Sequence, residues 1–117
     1  IGGCLARPDL RVVAISGDYG FQYTLSELGV AVELGLNLPI IIWDNQKLKA
    51  IEDSMIGAQI SPTAVQALNP DFRVLANAYG ARFKKPLTVK DLKNDLDGAH
   101  HACKPTLIYL SSEDFTV

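Results

Sequence analysis

At 117 residues the chain supports one hydrophobic core and leaves no room for a second domain; a domain of this size buries about two thirds of the surface its unfolded chain exposes. It is 48% hydrophobic and 21% charged, with a net charge of -2 from interspersed acids and bases, so it reads as an ordinary globule without a basic stripe for nucleic acid or an anionic membrane. The longest apolar run, residues 38–43, is far too short to cross a bilayer, and Cys4 and Cys103 stand in no metal or redox spacing, so a cytoplasmic location is expected.

The sequence starts without Met and has neither the basic start nor the long apolar core of a signal peptide. Residues 1–7 read as the end of a helix, closed by a Pro8-Asp9 turn. The single domain, residues 1–117, is therefore expected to be truncated at its N-terminus and to come from a longer polypeptide. Residues 11–16 and 39–43 are strands too uniformly apolar to have one wet face. Between them Leu25, Leu28, Val32 and residues 34–36 recur at near-helical spacing, with Glu27 and Glu33 off that face, which predicts one helix in a right-handed β-α-β unit.

Residues 47–59 read as a helix with Leu48, Ile51, Met55 and Ile56 on one face, stopped by Ser61-Pro62. Residues 63–68 read as loop. Asn69 is placed as the cap of a helix that has Pro70 at its first position and Gly80 past its end near Tyr79. A short edge strand follows at residues 81–84, where charges alternate and Pro86 comes next. Thr88 and Asp91 form a capping box for a helix with Val89, Leu92, Leu96 and Ala99 as its buried stripe. Residues 106–110 form the last central strand, and the tail, residues 111–117, has no pattern. An α/β layered sheet follows.

The polar residues of the β-α-β unit fall outside the carboxyl ends of its strands, where open α/β sheets place ligands. Asp18 follows the first strand; Asp44 and Asn45 end the second. A carboxylate, an amide oxygen and a backbone carbonyl suit Mg2+, which keeps its other positions for phosphate and water. The plainer alternative is that Asp18 stabilises a turn and Asn45 caps the next helix. Gly17 and Gly20 let the backbone approach an anion at the start of the helix. No Gly-Lys-Ser/Thr follows and the spacing is not that of a dinucleotide loop, so an NTPase and a dinucleotide fold are disfavoured. His100 and His101 with Cys103 make a poor metal set, because adjacent histidines diverge by about 100° on a helix. Their expected role is a positive charge at a helix C-terminus. Trp43 is expected in the core, and Leu48 and Ile51 either wall a pocket or pack inward.

Residues 13–24, VAISGDYGFQYT, followed by LSELGVAVELGLNLPIIIWDN, resemble the C-terminal cofactor-binding domain of thiamine diphosphate-dependent enzymes related to acetolactate synthase and the 2-oxo acid decarboxylases. Their pattern is Gly-Asp-Gly, about two dozen residues, then Asn-Asn; here 27 positions separate Asp18 from Asn45. The words SELGVAVELGLNLPI and NPDFRVLANAYGA extend the resemblance over most of the chain.

The resemblance implies a three-layer α/β sandwich with a mainly parallel sheet, the thiamine diphosphate-binding fold, present as a partial domain. It implies Mg2+ on Asp18, the Asn45 side chain and the Lys47 carbonyl, and thiamine diphosphate against Gly17, Asp18, Tyr19, Gly20, Asn45, Lys47 and Leu48. No catalytic residue is assigned, because the family supplies its activating glutamate from the pyrimidine-binding domain of the parent enzyme or of another subunit. The chain is thus expected to be part of a lyase or transferase, inactive alone and homo-oligomeric, with no nucleic-acid or membrane partner. Two positions depart from the pattern: Tyr19 stands where the third glycine belongs, and Asp44 replaces the first Asn. Asp44 is not expected to be a ligand, although its charge alters phosphate affinity. These departures favour a second reading, a non-catalytic α/β interaction domain that has lost the cofactor.

Overall fold

A computed structural model of the chain describes residues 1–66 and 68–116. Four strands, β1 (Ala14–Gly17), β2 (Pro39–Asp44), β3 (Arg82–Lys84) and β4 (Thr106–Ser111), form a sheet in the order β1-β2-β4-β3. Each of these pairings is parallel. The helices are α1 (Gly2–Ala6), α2 (Asp18–Tyr23), α3 (Ser26–Glu33), α4 (Lys49–Gly57), α5 (Phe72–Tyr79) and α6 (Val89–Ala99).

The strands alternate which face each side chain meets, so β2 divides its isoleucines between two cores. Ile40 and Ile42, with Leu107 of β4, pack against Phe21, Leu28, Phe72 and Ala76 from α2, α3 and α5. Ile41, Ile108 and Leu110 face Leu92, Leu96 and Ala99 of α6. Helices therefore cover both faces, giving the expected three-layer α/β arrangement. Apart from half-buried Ile41 and Tyr109 and the exposed Trp43, every residue of the central strands β2 and β4 is buried, as in strands covered on both faces.

Several expectations change. The helix predicted across residues 25–36 is the shorter α3, and an unexpected helix, α2, precedes it: the N–H and hydroxyl of Thr24 both reach the Phe21 carbonyl (3.2 and 3.5 Å) and close α2 with a tight turn. β1 starts three residues late: its register begins at Ala14 against Ile40, and β2 extends no earlier than Pro39, so residues 11–13 have no ladder to join. Asp71, not Asn69, caps α5, accepting from Arg73 N (2.8 Å) and Val74 N (3.1 Å); Asp caps as well as Asn, which releases Asn69 for another use. Gly80 ends α5 with φ +78, as foreseen. The Thr88 cap also holds, with the Asp91 N–H donating to Thr88 Oγ1 at 3.2 Å.

The apolar stripe of α4 is uncovered: the helix buries none of its residues, and Ile51 and Ile56 are half exposed. Val89, in the first turn of α6, is exposed too, while Leu92, Leu96 and Ala99 reach the sheet. Trp43 is not core: it shares the face of Ile41, but α6 does not reach the part of that face where Trp43 and a largely exposed Ile15 lie. His100 does cap α6, but burial, then Arg11 and His101, push its pKa down, which favours the neutral ring over the expected positive charge. Position 67 of the predicted loop and position 117 of the tail lie outside the described residues.

Candidate cation and diphosphate site

The tips of β1 and β2 lie side by side, with Gly17 opposite Trp43 in the ladder. One residue past Gly17, Asp18 opens α2 and is 3% exposed. One residue past Trp43, Asp44 ends β2, also 3% exposed. The chain then reverses through Asn45, Gln46 and Lys47. Asp44 Oδ1 accepts from Gln46 N (2.8 Å) and Asn45 Oδ1 accepts from Lys47 N (3.2 Å), two successive turns closed by short polar side chains. Between them Gln46 takes φ 54, a left-handed conformation that costs a non-glycine residue about 1 kcal/mol and is held by its neighbours' bonds. The loop is fastened below by Leu48 N donating to the carbonyl of the buried Val65 at 2.8 Å.

A third segment joins the two tips. Asn69 Nδ2 donates to Asp18 Oδ2 at 2.6 Å and to Asp44 Oδ1 at 3.0 Å. Its own Oδ1 accepts from Gln22 Nε2 at 3.0 Å, and the same nitrogen reaches the Asp18 carbonyl at 3.2 Å. On the other side Tyr109 donates its hydroxyl to Asp44 Oδ2 at 2.7 Å. Burial first, and then that bond to Asp44, push the tyrosine pKa well up, so it remains a donor throughout the neutral range. Asp44 thus meets three donors, which an acceptor-only carboxylate satisfies better than the family's Asn would.

These tips open on a cleft of about 370 Å³. It is lined by Gly17, Asp18, Tyr19, Gly20, Asn45, Lys47 and Leu48, every residue singled out for cofactor contact, together with Trp43, Lys49, Ala50 and Ile51. Leu48 and Ile51 are therefore on the cleft rather than in the core. Tyr19 needs no left-handed backbone because it lies in the right-handed first turn of α2; the left-handed residue of this region is Gln46. Gly20 has a packing reason, since a Cβ there would sit 3.0 Å from Ser16 Oγ. The first-turn amides of α2, at Asp18, Tyr19 and Gly20, have no intrahelical partner by construction.

The donor set fits a small hard cation. Two buried carboxylates share one amide, and among the described residues neither has a Lys, Arg or His at ion-pair distance. Buried charges are normally paired or bind metal. The lysines on the cleft are engaged elsewhere, Lys47 with Glu52 (3.4 Å) and Lys49 with Asp53 (2.6 Å). Asp18 Oδ2 is taken by Asn69, while its Oδ1 receives no hydrogen bond among the described residues. Among those residues no cluster of three His, Cys, Asp or Glu side chains forms a metal cage, so neither His100 and His101 with Cys103 nor the cleft itself offers one. A cation in the cleft would draw on amide, carbonyl and phosphate oxygens beside one carboxylate, as Mg2+ does.

The sequence reading missed Asn69, Gln22 and Tyr109. Asn69 looks like a helix cap and Tyr109 like a core aromatic; only the sheet order, which sets β4 beside β2, brings Tyr109 to Asp44.

Residues 1–110 match the profile described as thiamine pyrophosphate enzyme, C-terminal TPP binding domain. The chain is 38% identical over 111 residues to the probable 2-ketoarginine decarboxylase AruI of Pseudomonas aeruginosa, covering 94% of this chain and 20% of that protein. It is 31% identical over 117 residues to the acetolactate synthase isozyme 2 large subunit of Escherichia coli, covering 97% and 21%. The chain thus spans about a fifth of the length of the curated relatives it matches. Among solved structures, the thiamine diphosphate-dependent 4-hydroxybenzoylformate decarboxylase of Rhodococcus jostii superposes with a TM-score of 0.86 at 28% identity, over 99% of this chain and 22% of that one. The benzoylformate decarboxylase of Polynucleobacter necessarius gives 0.83 at 20% identity, over 94% and 21%, a likeness of fold alone.

Proposed function

The chain belongs to the thiamine pyrophosphate enzymes, as their C-terminal TPP-binding domain, and from that premise we propose that it is the Mg2+- and diphosphate-holding half of a 2-oxo acid decarboxylase or acetolactate synthase-like active site. The observation that carries this reading is the buried Asp18 carboxylate, which lacks a cationic partner among the described residues and borders the same cleft as Asn45 and Lys47. Asp18, the Asn45 side-chain oxygen and the Lys47 main-chain carbonyl would hold Mg2+. The amides of Tyr19 and Gly20, at a helix start that favours negative charge, would meet the diphosphate, with Gly17 and Leu48 beside it.

Thiamine diphosphate, when bound, supplies a nucleophilic carbon that adds to a 2-oxo acid and accepts the electron pair left by carbon dioxide. The residues of this chain do something narrower. They anchor the diphosphate end, and Trp43, Leu48 and Ile51 give the cleft an apolar lining. The activating glutamate belongs to a pyrimidine-binding domain, in the parent enzyme or another subunit, so the chain alone does not turn over. The uncovered stripe of α4 and the exposed Ile15 and Trp43 support homo-oligomeric or interdomain packing. No helix among the described residues is long and apolar enough to cross a membrane; a cytoplasmic site of action is part of this proposal.

A non-catalytic interaction domain, the second reading, rested on Tyr19 and Asp44. Both fit the fold, one in a right-handed helix turn and the other against three donors, which supports the first reading. Calorimetry of thiamine diphosphate binding with and without Mg2+ tests the assignment: Asp18→Ala is expected to abolish the Mg2+-dependent part, and unchanged binding would remove it. Release of carbon dioxide from a panel of 2-oxo acids by the chain alone would overturn the half-site proposal.

A further inference from the structure

We propose that Asn69 is a positioning residue of the cation site: its amide holds the Asp18 carboxylate in one orientation and ties the β1 tip to the β2 tip. It thereby sets the site's preference among divalent ions without touching one. This inference rests on the reading of Asp18, Asn45 and Lys47 as the site.

The amide can point only one way. Its Nδ2 donates to two carboxylate oxygens, at 2.6 and 3.0 Å, and its Oδ1 accepts from Gln22 at 3.0 Å. Turning it over would face an oxygen to both carboxylates and one NH2 group to another. Both of its hydrogens are used, and a serine or threonine in its place would have one to offer. Helix capping does not explain the residue, because Asp71 already caps α5, accepting from the Arg73 and Val74 amides. Its engagement of Asp18 Oδ2 leaves Oδ1 as the oxygen for an ion, and its second bond couples the position of Asp18 to the strand that carries Asn45.

Partners that orient metal ligands typically cost about 10- to 100-fold in metal affinity when removed. The loss should be selective. Mg2+ requires near-ideal octahedral geometry, whereas Ca2+ accepts longer bonds and variable coordination. A loosened Asp18 therefore penalises Mg2+ more than Ca2+.

The test uses Trp43, the single tryptophan, which lines the cleft. Its fluorescence is titrated with Mg2+ or Ca2+ at fixed thiamine diphosphate in the wild type and in the Asn69→Ala, Asn69→Ser and Asp18→Ala variants, with circular dichroism confirming the fold of each. The expected result is an Asn69→Ala apparent Kd for Mg2+ raised about 10-fold or more, with Ca2+ shifted far less, and an intermediate ratio for Asn69→Ser, which keeps one donor. Equal shifts for both ions, or none, would overturn the positioning role, as would loss of thermal stability with the ion preference unchanged. If Asn69→Ala does not fold, Asn69→Ser decides alone on the same ratio. If instead Asp18→Ala binds Mg2+ and cofactor as the wild type does, it is the underlying site that is wrong.

Discussion

Replacing Tyr109 by Phe removes one oxygen and nothing else of consequence. The ring keeps its contacts with Phe72 (centroids 5.7 Å apart) and Phe83 (6.3 Å), so apolar packing is preserved. What disappears is the 2.7 Å bond to Asp44 Oδ2, on a carboxylate only 3% exposed. Hydrogen bonds to charged groups contribute about 1.5–3 kcal/mol, and the lower half of that range applies because the tyrosine is only half-buried. For a chain of this length a loss of about 2 kcal/mol lowers Tm by roughly 8 °C. Urea denaturation should show the same loss as a lower midpoint with an unchanged slope. There is also a pH signature. Because its pKa is raised, the folded tyrosine keeps a proton that the unfolded chain gives up near pH 10. Wild-type stability therefore falls above that pH, and the variant loses part of the fall. A Tyr109→Phe protein within about 0.5 kcal/mol of wild type would refute the claim that Asp44 depends on this donor.

Two further outcomes are expected. Gly20→Ala forces its new Cβ against Ser16 Oγ at 3.0 Å, so it should weaken Mg2+-dependent cofactor binding, and the double variant with Ser16→Ala should recover most of the loss; equal defects in single and double variants would show that the contact is irrelevant. His100 has a lowered pKa, so the folded state binds fewer protons than the unfolded chain as pH drops through about 6.5. Stability should decline across that window, and His100→Gln should flatten the slope of Tm between pH 5 and 7; an unaltered slope removes His100 as its source.

Much of the architecture was legible in the residues because the signals were local. Ile40, Ile41 and Ile42 announce an enclosed strand, Gly80 and Thr88 carry their capping roles on their own chemistry, and the interval from Asp18 to Asn45 places both on one cleft. Asn69 was misread because a helix cap and a bridge between carboxylates select the same short amide, and Asp71 competes for the first role. Trp43 and the α4 stripe were misread for another reason. Periodicity reports which face is apolar, but whether anything lies against that face is a tertiary fact that no window of the sequence contains.

The Asn69 bridge also bears on when the cleft comes into being. Its two acceptors lie 51 and 25 positions away along the chain, so the joined tips cannot exist until three distant segments have met. Closing such loops costs entropy before any bond repays it. β2 and β4 are further apart still in sequence, but their ladder repays its closure with six residue pairs and a buried core, whereas the bridge repays it with two bonds. The ligand-binding end of the sheet should therefore mature after that ladder, and pulsed hydrogen exchange during refolding should protect Ile41 and Ile108 earlier than Gln46. Simultaneous protection would show that the opening is shaped along with the sheet rather than after it.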